Sequence, residues 1–190
     1  MGLAATLHDI GKIGVPDRIL LKQGALDEEE FAEMREHATH GAKIIDRREH
    51  VRSSREGAES PLGQRIVSPT SYDVLRLASE IARTHHEHWD GTGYPSGLIG
   101  EDIPLGGRLT AVADVYDALG SARPYKPAMP RHRCLKAIRK GAGSHFDPAV
   151  VEAFFDSLGD ILDAQDLWAD EQTPRLRGAD DREFPAPRAA

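Results

Sequence analysis

His8-Asp9, inside the run LHDIGKIGVPD, sets an imidazole beside a carboxylate and follows them with glycine and lysine. Side chains of these types can hold a metal ion and face an anion. A second concentration lies at His85-His86, two adjacent imidazoles followed by Glu87. His37 and Asp114 are further imidazole and carboxylate stations between and beyond them. Seven of the nine histidines precede residue 90, and histidine is the commonest metal ligand. Taken one at a time these residues are ordinary: a helix-end His-Asp pair, solvated histidines, an aspartate on a polar face. Together they are stations on three or four helices, the pattern of a metal site built inside a helical bundle. Mixed nitrogen and oxygen ligands suit iron, manganese, zinc or nickel better than calcium. A carboxylate such as Asp9 can bridge two ions, and such pairs activate water and clamp a phosphoryl group from both sides.

The elements that must position these residues read as helices. Leu3 to Ile10 is the end of a helix, with Gly11 on its C-terminal side and Lys12 at the negative end of its dipole. Asp17 caps a short turn with Ile19 and Leu20. Asp27 is an N-cap with Glu28, Glu29 and Glu30 in the first turn; Phe31, Met34, Ala38, Ile44 and Ile45 continue that helix, with His37 and Gly41 one turn apart. From Arg47 to Ser71 the chain turns polar and loses its amphipathic period, the signature of a loop or disordered insertion. Tyr72 to His86 is helical again and stops at the turn-rich WDGTGYP. Trp89 is expected to anchor that loop by packing, and Asp90 to form an Asx-type turn. Arg108 to Leu119 is a helix with the apolar stripe Leu109, Val112, Val115 and Leu119, and Asp114 and Asp117 roughly opposite it. Arg131 to Lys140 and Pro148 to Asp163 are two more. Residues 169 to 190 read as a disordered tail. No strand alternation is present, so the expected fold class is all-α.

Composition narrows the function. The chain has 190 residues, 39% hydrophobic and 29% charged, a net charge of −7 and one cysteine. That excludes a disulfide framework and argues against DNA binding through a basic surface. No run approaches the roughly 18 apolar residues of a membrane span. The start has no basic n-region and meets Asp9 early, so the expectation is a cytoplasmic protein. Cys134, in a helical pattern with Leu135 and Ile138, is expected to be a small buried residue.

The order and spacing of HDIGKIGVPD, the His37–Gly41 helix, HHEHWDGTGYPSGL, ADVYDALGSARPYKPA and GSHFDPAVVEAF resemble the HD-GYP domain, a branch of the HD phosphohydrolases. The resemblance covers about residues 1 to 156, with an interruption near 50 to 70. It implies an all-α HD-type bundle over residues 1–168 and hydrolysis of cyclic di-GMP to pGpG or GMP. It implies two divalent ions, iron or manganese. His8, Asp9 and Asp114 would serve the first; Asp9, His37, His85 and His86 the second, with Asp9 bridging. Lys12, Arg123 and Lys126 would contact phosphate, and Gly93, Tyr94 and Pro95 would form a loop for substrate or partner. A GGDEF-type protein or a receiver domain is the implied partner. His40, His50, His88, His132 and His145 have no ligand role in it, and His88 stands where the family has arginine.

Three departures qualify the resemblance. HD domains carry another metal-binding histidine well upstream of the HD pair, and only seven residues precede His8. The expectation is a chain lacking its first helices, with a weakly held first ion. The insertion of roughly twenty residues between His37 and His85 falls between helices, where a longer loop costs little. Gly120-Ser121-Ala122 replaces a more polar family segment, which loosens the Arg123 loop. Two functions therefore compete: a phosphodiesterase, and a degenerate module that binds nucleotide or a signalling partner without turnover.

Overall fold

The computed structural model describes residues 1–53, 69–122 and 128–172, with side chains for 1–46, 73–122 and 128–167. Among them there are only helices and one isolated bridge, Ala142 with Phe146. The all-α expectation holds. The helices are α1 (Gly2–Ala5), α2 (Asp17–Leu20), α3 (Glu28–Ser53), α4 (Pro69–Thr84), α5 (Leu105–Gly120), α6 (Arg131–Lys140), α7 (Pro148–Asp156) and α8 (Leu158–Gln172); 3-10 helices span Ile10–Gly14 and Gly100–Asp102. The chain divides into two compact units, Met1–Ala153 and Phe154–Ala190. Among the described residues no helix is long and apolar enough to cross a membrane.

The core that positions the site is the α3–α4 pair. Asp27 starts α3 through a reciprocal capping box: its Oδ1 accepts from Glu30 N–H at 2.9 Å, and Glu30 Oε2 accepts from Asp27 N–H at 3.0 Å. The buried face of α3 is His37, Ala38, Gly41, Ala42 and Ile45, and the buried residues of α4 are Ala78, Ser79, Ile81, Ala82 and Thr84, with His85 just beyond its end. Alanine and glycine at the contact let the two backbones approach closely; a Cβ on Gly41 would sit 3.4 Å from that of Ala82. Full burial of Ile81 and Ile45 contributes about 1.5–3 kcal/mol each. Asp46 fastens the far end, accepting from Ser79 Oγ at 2.5 Å and from Arg83 at 3.5 Å.

Several expectations are corrected. The helix read over Leu3 to Ile10 ends at Ala5. Beyond it Leu7 and His8 donate to Ala4 and Ala5, three residues back, so the chain tightens into turns and then the 3-10 helix. His8 and Asp9 sit in that turn, off any α-helix. Gly11 caps nothing and has no positive φ. It is glycine because a Cβ would meet the His37 carbonyl oxygen at 1.9 Å and Gly41 N at 2.4 Å. Asp17 is the first residue of α2 and Pro16 holds the cap position, with no side-chain cap. The polar segment read as a loop from Arg47 is helical through Ser53, because Arg and Glu propagate a helix without an apolar face; its 54–68 part lies outside the described residues. On α5 the buried face is Gly106, Gly107, Thr110, Ala111, Val112 and Tyr116, so of the expected stripe only Val112 is fully buried. The helix read over Pro148 to Asp163 breaks at Ser157, and α8 carries helix to Gln172; the rest of the expected tail lies outside the described residues. Cys134 is buried as expected, its thiol on the Met129 carbonyl at 3.4 Å.

Candidate metal centre

Three elements meet around Asp9: the turn before the 3-10 helix, α3 through His37, and the end of α4 through His85 and His86. Each histidine from the first two positions and His85 is oriented by the same device. His8 Nδ1 donates to the Ala5 carbonyl at 2.8 Å, His37 Nδ1 to Met34 at 2.6 Å, and His85 Nδ1 to Ile81 and Ala82 at 3.1 and 3.0 Å. A carbonyl only accepts, so each Nδ1 carries a proton; His37 and His85, neutral rings, present a bare Nε2, whereas the His8 Nε2 faces the Asp9 and Asp114 carboxylates. Committing one ring nitrogen this way fixes the tautomer of a metal-ligating histidine.

The bare nitrogens converge. His37 Nε2 lies 3.5 Å from His85 Nε2, and neither can donate to the other. Asp9 Oδ1 stands 3.5 Å from the first and 3.9 Å from the second. It is buried without a hydrogen-bond partner among the described residues. Three electron-pair donors with no proton between them repel one another, and a cation resolves that repulsion. Ligands around a tetrahedral or octahedral ion with bonds of about 2.1 Å are separated by about 3.0–3.4 Å, close to the spacing found. His37, His85 and His86 form one group whose ligand atoms all lie within 4.8 Å of one another; His8, Asp9 and His85 form another. His85 belongs to both, and the donor set fits a divalent metal.

Electrostatics keep the first group ready to bind. Burial pushes His85 down to about 4, helped by the neighbouring His8 and His37, and burial with His85 beside it pushes His86 down to about 3. His37 is lowered by burial as well. All three rings are neutral at neutral pH, the form that binds metal. His8 goes the other way: the Asp114 and Asp9 carboxylates raise it to about 10. A proton and a metal ion are alternatives on its Nε2, which is 3.4 Å from Asp9 Oδ2 and 3.8 Å from Asp114 Oδ1. Burial raises Asp9, but His8 and Lys12 outweigh it and hold the carboxyl well below the usual range. Asp114 is lowered by His8.

The other expected site residues fall as follows. Lys12 donates to Asp9 Oδ2 at 2.5 Å, so its ammonium is already at the centre. Asp114 approaches through His8 and lies in neither close group, while Asp117 is exposed and accepts from Ser121 at 3.4 Å. Tyr94 stacks on His86 with centroids 4.8 Å apart, and its N–H donates to the His86 carbonyl at 3.1 Å. Gly93 is glycine because a Cβ would sit 2.2 Å from His88 N, and Pro95 follows Tyr94 through a cis bond. Asp90 makes the expected Asx turn, accepting from Thr92 N–H at 3.0 Å. Arg123 and Lys126 lie outside the described residues.

The roles of two supporting groups escaped the sequence reading. Glu87 is buried, and its two carboxyl oxygens accept from Ser96 N–H at 2.7 Å and Leu98 N–H at 3.1 Å, tying the loop down beside His86. Arg108 pairs with buried Asp147 at 2.8 Å and lies over the Trp89 ring at 5.9 Å, while Asp147 caps Ala149 N–H. Trp89 and Asp90 N–H donate to His145 and Ser144 carbonyls, so the 141–147 turn clamps the loop from behind. The one available signal for Glu87 was its place directly after two candidate ligands.

A helical scaffold carrying an imidazole–carboxylate centre around an HD pair defines a class, and comparison with known proteins agrees. The HD domain family profile matches residues 1–150. The chain belongs to the HD domain family, and the HD-GYP motifs from HDIGKIGVPD to ADVYDALGSARPYKPA stand within that match. Among curated relatives, a cyclic di-GMP phosphodiesterase of Vibrio cholerae is 51% identical over 80% of this chain and 27% of its own length. One from Thermotoga maritima is 42% identical over 96% of this chain and 44% of its own. A 3'3'-cGAMP-specific phosphodiesterase 2 of Vibrio cholerae is 40% identical over 84% and 26%. The chain thus spans from about a quarter to less than half of these relatives.

Proposed function

We propose that this chain is a divalent-metal-dependent phosphodiesterase that hydrolyses a cyclic dinucleotide, cyclic di-GMP, to pGpG or GMP. The observation that carries the reading is the convergence of His37 Nε2, His85 Nε2 and partnerless Asp9 Oδ1. The relatives' names point to the cyclic dinucleotide class. Two ions, iron or manganese, are proposed: one held firmly by Asp9, His37, His85 and His86, one weakly by His8, Asp9 and Asp114. Bound divalent ions supply an activated water and neutralise charge on the phosphoryl oxygens. The chain itself does the positioning. Asp9 turns one carboxylate oxygen to each group of ligands. Lys12, on Asp9 Oδ2, is at hand for a phosphate oxygen, and Arg123 and Lys126 grip the diester, arginine as the bidentate partner. The Gly93-Tyr94-Pro95 loop serves substrate or partner, the latter a GGDEF-type or receiver domain in the cytoplasm.

The test is product analysis. The chain reconstituted with Mn(II) or Fe(II) and given cyclic di-GMP is expected to release pGpG or GMP, and His86→Ala to release neither. Cyclic di-GMP bound without product by the metal-loaded wild type would overturn the enzyme reading in favour of a binding module.

A further inference from the structure

Phe31 and Arg35 lie one turn apart on one face of α3, six and two residues before His37, and meet Tyr94 at the rim of the centre. The Arg35 guanidinium lies 4.3 Å from the Phe31 ring centroid and 5.1 Å from that of Tyr94. The two rings meet edge-to-face at 6.5 Å, and Tyr94 in turn stacks on His86. Phe31 is 42% exposed, an aromatic ring that burial does not explain. Among the described residues no ion pair claims Arg35, although its helix neighbours Glu30 and Glu33 are paired with Lys22 and Arg18. A guanidinium laid against aromatic rings is fixed in plane with its edge N–H donors free, the arrangement that receives a phosphate bidentately. The cost of ordering such a long side chain is met before ligand arrives.

We infer that Arg35, held by Phe31 and Tyr94, is a substrate-positioning residue that binds the second phosphate of the dinucleotide, the one away from the metal ions. This rests on the phosphodiesterase reading. A cyclic dinucleotide carries two phosphodiesters; with one at Asp9 and the imidazoles, the other projects to the rim, and the Tyr94–Arg35 stack leads outward from His86. The bound negative charge offsets a cation that has no carboxylate of its own.

The experiment compares wild type, Arg35→Ala and Arg35→Lys with metal content matched. The dissociation constant of the bis-phosphorothioate analogue of cyclic di-GMP is expected to rise about tenfold to hundredfold in Arg35→Ala, with Arg35→Lys between. The KM for bis(p-nitrophenyl) phosphate, which has a single phosphate, is expected to rise at least fivefold less than that for cyclic di-GMP. Unchanged analogue binding, or equal losses on both substrates, would overturn the assignment. A wild type that turns over neither diester sinks the phosphodiesterase reading alone, since the binding comparison still decides the role of Arg35.

Discussion

His37 Nε2 and His85 Nε2 face each other at 3.5 Å, each with its Nδ1 proton already given to a main-chain carbonyl. Two buried lone pairs held in opposition are a cost in the metal-free protein. They are borne because Ala38, Ala42, Ala78 and Ala82 allow α3 and α4 to pack closely, and that packing is what sets the nitrogens at ligand spacing.

Metal should therefore stabilise the fold through these residues. At about a hundred times the dissociation constant, a ligand specific to the folded state adds about 2.7 kcal/mol, or about 5–10 °C in Tm for a chain of this size. Thermal melts with and without Mn(II) should show that rise in wild type and none in His85→Ala. Elemental analysis should find one firmly retained ion and a second lost on dialysis, because the ligand sets proposed are four residues against three. Two firmly retained ions per chain would contradict the unequal sets.

Glu87 should matter to stability more than a residue outside the proposed ligand set ordinarily does. Both its oxygens accept from loop N–H groups. Glu87→Gln keeps the shape but turns one acceptor into a donor facing a donor, at about 1–3 kcal/mol. Urea unfolding should show that loss, and the released Tyr94 loop should raise the KM for cyclic di-GMP. A variant as stable as wild type would remove Glu87 from the loop's support.

His145 carries a pH dependence whose sign is fixed. Burial, with His88 at 4.0 Å between ring centroids, pushes it down to about 4 from 6.5. Between those values the unfolded chain binds a proton that the folded chain refuses. Stability is full above pH 6.5 and is lost as pH falls toward 4. Discounted for partial exposure, the loss is about 1–2 kcal/mol. In the metal-free protein His145→Phe should lose less stability than wild type between pH 7 and pH 4.5; an identical pH profile would refute this origin.

What the sequence disclosed follows from what each residue interacts with. His8, Asp9, His85 and His86 were legible because ligand types cluster locally in the chain. His37 and Asp114 gained meaning only from the order of motifs, since each alone matches a surface residue. Helix existence followed from periodicity, but the stripe read on α5 missed its closest contacts, Gly106 and Gly107, a Cβ on Gly107 meeting Thr84 Oγ1 at 2.2 Å. Glycine contributes nothing to an apolar stripe. Glu87 and the Arg108–Asp147 pair were not legible because their partners are loop amides and a side chain 39 residues away, separations that no local pattern encodes. Gly11 was assigned a helix end because tertiary proximity of backbones leaves no mark in the sequence beyond the glycine itself.

That glycine gives the sharpest structural test of the centre. A methyl group on Gly11 would lie 1.9 Å from the His37 carbonyl oxygen and 2.4 Å from Gly41 N, both main-chain atoms that cannot rotate away. The 3-10 helix must then lift from α3, and Asp9, at its head, moves with it. Overpacking of this kind costs about 1–3 kcal/mol, and it also separates Asp9 from His37 and His85. Gly11→Ala should thus lower Tm by several degrees and lose the metal-dependent Tm rise, although every proposed ligand residue is retained. Gly2→Ala, at a glycine whose Cβ would meet nothing within 4 Å, should do neither. If Gly11→Ala melted lower yet kept its full metal response, contact of the 3-10 helix with α3 would support the fold without setting the position of Asp9.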